Sequence, residues 1–148
     1  FINKLQKLLP DVNFDLYGMK KHQPIWADNF INSIANNKIG LNLSQGKPVK
    51  YYSSDRFAQL IGNGLLVFID EKTKFSDFLT NREIVTYKNI NDLAKKIKKY
   101  LDNDKLRKKI AKNGREKYFK YFNSNIVADY IVNKTFNLNN KKYFWEKS

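Results

Sequence analysis

The stretch "GKPVKYYSSDRFAQLIGNG", residues 46–64, gathers the side chains best suited to hold an anion. Lys47, Lys50 and Arg56 bring positive charge, and Ser53 and Ser54 bring hydroxyls just ahead of an apolar spacing at Phe57, Leu60 and Ile61. That spacing predicts a short helix over about 54–61, with Ser53, Ser54 or Asp55 placed to cap it. The unpaired first-turn N–H groups and the positive end of the helix dipole then point at the preceding loop, which favours a phosphate group. Plainer readings stand beside this one. Loop lysines are ordinarily solvated, serines at helix starts ordinarily cap, and Arg56 can pair with Asp55 or another nearby acid. Gly62 and Gly64 stop the helix, because glycine enters a left-handed cap without steric cost.

Other chemistries find little to work with. The chain has no cysteine and one histidine, His22, so disulfides, thiolate metal sites and histidine clusters are excluded and no metal site is expected. The turn "LYGMKKHQ" carries a single glycine where a dinucleotide fold needs G-x-G-x-x-G, and no G-x-x-x-x-G-K-[ST] loop occurs. His22 reads as an exposed loop residue. Asp70 and Glu71 end a strand in a region suited to acid–base work, yet a turn with Lys72 explains them equally well. The sequence therefore assigns no catalytic residue.

The elements that must carry the loop follow from periodicity. Residues 1–9 read as an amphipathic helix stopped by Pro10. "VNFDLYG" alternates Val12, Phe14 and Leu16 before a glycine, which predicts a strand over 12–17. Further strands are predicted at 38–43, 65–69 and 83–87, the one at 65–69 continuously apolar as in a strand covered on both faces. Helical spacing marks 27–37, then about 90–102, 104–122 and 125–136, with Asp104 where an acid complements the dipole. Strands alternating with helices give an α/β class with a Rossmann-like parallel sheet of about four strands, flanked by helices and ending in a helical segment. In a chain of 148 residues this is one domain, 1–136. A polar and aromatic tail, 137–148, follows, with Tyr143, Phe144 and Trp145 available for docking.

The formal charge is +14. Residues 88–122 hold thirteen Lys or Arg against four acids, but the whole chain has 24 Lys to 4 Arg, whereas nucleic-acid readers lean on arginine forks. Solvated helix faces explain the pattern, and nucleic acid is not the expected partner. A non-catalytic basic module binding nucleic acid or an anionic membrane surface remains the runner-up reading. No apolar run approaches the roughly eighteen residues of a membrane-spanning helix, and the N-terminus lacks the apolar core of a signal peptide. The expectation is a cytoplasmic protein, with peripheral membrane contact open to the lysine-rich helices. The start on Phe1, inside a helix, suggests that further chain precedes it.

Three segments taken together carry a family resemblance: "KIGLNLS", "SSDRFAQLIGNGLLVFID" and "EIVTYKNINDLAKKIKKYLDNDKLRKKIAKNGREKYFKYF". Their order and spacing, within roughly residues 12–130, resemble the C-terminal, donor-binding half of GT-B glycosyltransferases, particularly the spore-maturation-protein type of family 1-like enzymes. The resemblance implies a bacterial enzyme of glycan biosynthesis that transfers a sugar from a nucleotide diphosphate sugar to an acceptor glycan, lipid or protein, without a metal or other cofactor. It implies an N-terminal acceptor domain outside this chain, so that these residues bind donor but do not turn it over alone. By the same resemblance Asn42 and Ser44 line the mouth after the second predicted strand and Arg56 faces the donor diphosphate; Lys50, Ser53 and Ser54 join the candidate donor site by their place in the loop and at the helix start. Gln59 stands where the family generally has a Glu that bonds the ribose hydroxyls. Gln keeps an acceptor carbonyl and gains donors, but offers no charge-assisted bond. The larger family's acid eight residues earlier is also missing, with Tyr51 in its place.

Overall fold

The computed structural model describes residues 1–148 except 20, 45, 139, 140, 147 and 148. In chain order the elements are α1 (Ile2–Leu8), α2 (Ala27–Ala35), β1 (Ile39–Asn42), α3 (Asp55–Gly62) and β2 (Leu66–Asp70). Two single-turn 3-10 segments follow at Glu71–Thr73 and Phe75–Asp77, then β3 (Val85–Tyr87), α4 (Ile90–Leu101), α5 (Asp104–Tyr121) and α6 (Ser124–Thr135). The three strands form one parallel sheet in the order β1-β2-β3, so all carboxyl ends lie at one edge.

The central strand organises the core. Its sequence LVFID has the first four side chains buried, and successive strand residues point to opposite faces. Leu66 and Phe68 join Val85, Tyr87, Leu5, Leu93 and Ile97 on one side, where α1 and α4 pack. Val67 and Ile69 join Ile34, Phe57, Leu60, Ile61 and Ile84 on the other, under α2 and α3. Each such side chain contributes on the order of 1.5–3 kcal/mol by leaving water, and the two layers make the α/β sandwich that the apolar run predicts. α5 reaches both layers. Ile110 and Ala111 enter the first, and Tyr118 packs against the second.

Gly114 permits a close approach and Gly64 a left-handed turn. A Cβ on Gly114 of α5 would stand 2.3 Å from the Glu83 carbonyl oxygen, so the helix can lie on the backbone before β3 only at a glycine. Gly64 has φ +81, and the N–H groups of Gly64 and Leu65 donate to the carbonyls of Ile61 and Leu60 in a left-handed helix stop. Gly62, by contrast, is the last residue of α3 itself and has no positive φ.

Residues 12–17 differ from expectation in one respect. Val12, Phe14 and Leu16 are half-buried while Asn13, Asp15 and Tyr17 are exposed, so the predicted alternation holds. The segment is nevertheless paired with no strand among the described residues. A cavity of about 940 Å³ lies between it and β1, walled by these apolar side chains on one flank and by Leu41, Leu43 and Leu60 on the other. Ladder pairing needs strands about 4.8 Å apart, and alternation fixes a buried face without specifying a partner.

Candidate functional site

The carboxyl end of β1 and the amino end of α3 meet at the mouth of the sheet. Asn42, the last residue of β1, is buried at 4% exposure, and its Oδ1 accepts a hydrogen bond of 2.8 Å from the Ser54 hydroxyl. Ser54 occupies the N-cap position of α3, yet its side chain makes no capping bond to the helix. It is turned toward the strand. The Phe57 N–H donates to the Ser54 carbonyl at 2.8 Å, a tight turn that leaves the amides of Asp55 and Arg56 at the leading edge of the helix.

Arg56 follows on the solvent side. Its Nη1 donates a long bond, 3.4 Å, to the Leu43 carbonyl, which lays the guanidinium across the strand end. Among the described residues Arg56 is in no ion pair, with Asp55 or with any other acid. Ser44 is half-buried and lines the cavity beside β1 together with Arg56. Gln59 is exposed and lies three residues past Arg56, the spacing that puts two side chains on one helix face. Ser53 is half-buried in the turn before α3. Ser54 and Asn42 are thus bonded to each other, Arg56 and Ser44 share the cavity wall beside β1, and Gln59 lies one turn along α3 from Arg56.

Lys50 belongs to a neighbouring group. Its ammonium lies 4.7 Å from the centre of the Tyr51 ring, and that ring packs 4.9 Å from Phe78. The Tyr51 N–H donates to the Thr73 carbonyl at 2.7 Å and its hydroxyl donates to Asp77 Oδ2 at 2.8 Å. Tyr51 has φ +62, a left-handed conformation rare for a bulky residue. Sequence reasoning noticed Tyr51 only as a missing acid. No local pattern marks a tyrosine whose partners lie more than twenty residues away.

Residues considered for acid–base work take structural roles. Asp70 Oδ1 accepts from the Lys72 N–H at 2.9 Å, closing the turn after β2, and the Asp70 carbonyl accepts from the Thr73 hydroxyl. Asp70 is also in register with Tyr87 on β3. Burial, with a smaller push from the Asp70 charge, raises the Tyr87 hydroxyl to about 12, so it stays neutral across ordinary pH. His22 is exposed in the loop after Gly18. Among the described residues, no three His, Cys, Asp or Glu side chains come together as a metal-holding set.

The basic helices are partly neutralised. Lys96 bonds Asp92 and the Thr86 carbonyl, Lys108 pairs with Asp104, and Lys117 pairs with Glu83. Lys108, Lys112 and Glu116 remain well exposed despite their pairing, as expected of a solvated face. The aromatic residues of α5 are split. Tyr118 and Phe122 stack on each other while Phe119 is half exposed, at 50%. The tail docks as anticipated, with Tyr143 buried, Phe144 stacked on Tyr121 and Trp145 stacked on Phe122. No helix is long and apolar enough to cross a membrane among the described residues.

An open parallel sheet with a polar, basic mouth beyond its strand ends defines a Rossmann-like α/β domain of the kind that receives ligands at that edge. The chain belongs to the glycosyl transferase-like family, which matches it over residues 1–133. No curated protein and no solved structure gives a significant match. The family makes glycosyl transfer the role of the domain.

Proposed function

We propose that this chain is the donor-binding half of a GT-B glycosyltransferase, of the spore-maturation-protein type, and that it holds a nucleotide diphosphate sugar at the amino end of α3. One observation carries the reading: in a glycosyl transferase-like chain, the start of α3 is tied to the end of β1 by Ser54 on Asn42 and by Arg56 on the Leu43 carbonyl, with Arg56 and Ser44 on the wall of one cavity. Arg56 takes the diphosphate with the amides of Asp55 and Arg56. Lys50 and Ser53 border the same loop, and Gln59 meets the ribose hydroxyls one turn along α3.

The chemistry follows from where charge develops. The bond from the sugar C1 to the diphosphate oxygen breaks, and its electron pair leaves with that oxygen. The acceptor hydroxyl oxygen forms the new bond to C1 and loses its proton to a base. Helix-end N–H groups and a guanidinium stabilise the departing diphosphate without waiting for solvent to reorganise, which leaves no task for a metal. The acceptor and the base come from a separate domain, and closure of the cleft supplies proximity.

Calorimetric titration with UDP, GDP and ADP, beside the matching nucleosides, tests this. Saturable binding of one diphosphate, absent for its nucleoside and weakened by Arg56→Ala, is the expected result. The reading fails if no diphosphate binds while a single-stranded DNA does so with an affinity that collapses as salt rises, the mark of counterion release.

A further inference from the structure

Tyr51 adopts a backbone conformation that the tyrosine itself disfavours, and three separate contacts hold it there. A non-glycine residue at φ +62 carries strain of order 1–3 kcal/mol, and such residues persist where their surroundings over-determine them. Here the backbone N–H is bonded to Thr73, the hydroxyl to Asp77 and the ring to Phe78, all on the segment that follows β2. The residue lies in the loop between β1 and α3, three positions before Ser54. The anchor is thus a bridge between the loop from one strand and the turn from the next, across the carboxyl edge of the sheet.

The bridge is joined to α3 from below. Phe78 packs against Phe75 at 5.9 Å, Phe75 against Phe57 at 4.9 Å, and Phe57 is the residue after Arg56. Tyr51 and the first turn of α3 therefore stand on the same row of rings. Within the same loop Gly46 has φ +80, with nothing within 4 Å of where a Cβ would stand. Tyr51 is a member of neither core layer and touches the second through Phe78.

We infer that Tyr51 is a positioning residue: clamped to Thr73, Asp77 and Phe78, it pre-orders the loop so that Ser53, Ser54 and Arg56 meet the donor diphosphate without first being immobilised. This rests on the donor-site reading. Ordering a loop in advance removes a cost that binding otherwise bears, so the clamp is read in affinity more than in stability.

The test is a double-mutant cycle on Tyr51→Phe and Asp77→Ala in the 148-residue chain. Affinity for the nucleoside diphosphate that the wild type binds is measured together with melting temperature and amide exchange at Tyr51. Tyr51→Phe keeps the ring and the backbone and removes only the hydroxyl bond. Tyr51→Phe is expected to weaken binding about threefold to tenfold, and the double variant by less than the product of the two single losses, because the Tyr51–Asp77 bond is shared. Exchange at Tyr51 and its loop neighbours rises, and melting temperature moves by less than about 3 °C. Unchanged affinity in both single variants, or losses that simply multiply, overturns the inference while leaving the donor reading intact. Failure of the wild type to bind any diphosphate overturns the donor reading and this inference with it, and slow exchange at Tyr51 would then mark the contacts as structural.

Discussion

Helix α3 and the three helices that end the chain begin in opposite ways. α4, α5 and α6 are each closed by an asparagine: Asn89 accepts from the amides of Asn91 and Asp92, Asn103 from Leu106, and Asn123 from Ile126. α3 also starts at a competent capping residue, Ser54, but spends that hydroxyl on Asn42 at the end of β1. α1 and α2 lack side-chain caps for a simpler reason, since Phe1 and Trp26 have no oxygen to offer. Among the described α-helices, only α3 has a suitable cap that is turned away. The contrast separates helices whose ends serve the scaffold from one whose first-turn amides are left for a ligand.

Substitutions that respect this division should separate stability from binding. The largest effect is expected on the scaffold side. Gly114→Ala drives a methyl into the Glu83 carbonyl, and should cost about 1–3 kcal/mol or more, seen as a lower denaturation midpoint with nucleotide affinity retained in the folded fraction. Arg56→Ala should do the reverse. A charged bond to a diphosphate is worth about 1.5–3 kcal/mol, so affinity falls at least about tenfold while stability stays within about 0.5 kcal/mol. If Arg56→Ala binds normally, the mouth is not where the anion sits.

A finer comparison sets Asn103→Ala against Ser54→Ala. Removing the α5 cap should cost about 1 kcal/mol and leave binding alone. Removing the Ser54 hydroxyl deprives the buried Asn42 of its partner, also at about 1–3 kcal/mol, and should in addition weaken the diphosphate. Equal affinity in the two variants would erase the distinction between the helix ends.

The smallest effect is electrostatic. Bonds from Lys108 and Arg107 hold the exposed Asp104 carboxyl down to about 2. Because its folded value is depressed, its favourable contribution is present above the ordinary carboxylate range and is lost as pH falls toward 2. A carbon-detected titration should place the Asp104 midpoint near 2, and Lys108→Ala should move it upward. No change in nucleotide affinity should accompany it, since this charge belongs to the scaffold.

Much of the scaffold was legible because it is local. The apolar run of β2, the spacing of Leu93 and Ile97, and Pro10 after α1 each act within one turn or strand, and the structure keeps all of them. Residues 12–17 show the limit. Their alternation correctly names the buried side chains, but pairing depends on distance to another strand, which no local pattern contains. The same limit governs the mouth. Arg56 and Ser54 stood out by charge and by position before an apolar spacing, whereas the partners they meet, Leu43 and Asn42, lie more than ten residues away. Tyr51 was the most hidden, because neither its φ nor its bond to Asp77 leaves a trace in composition or period.

The most direct test of the account watches the α3 amides themselves. Nitrogen–proton correlation spectra of the chain, recorded while the bound nucleoside diphosphate is added at moderate and at high salt, report each first-turn N–H. The account predicts saturable downfield shifts of the Asp55 and Arg56 amides, with Ser44 and Gln59 moving alongside and little dependence on salt. Unmoved α3 amides, with salt-sensitive shifts instead along the lysines of residues 95–120, would contradict it.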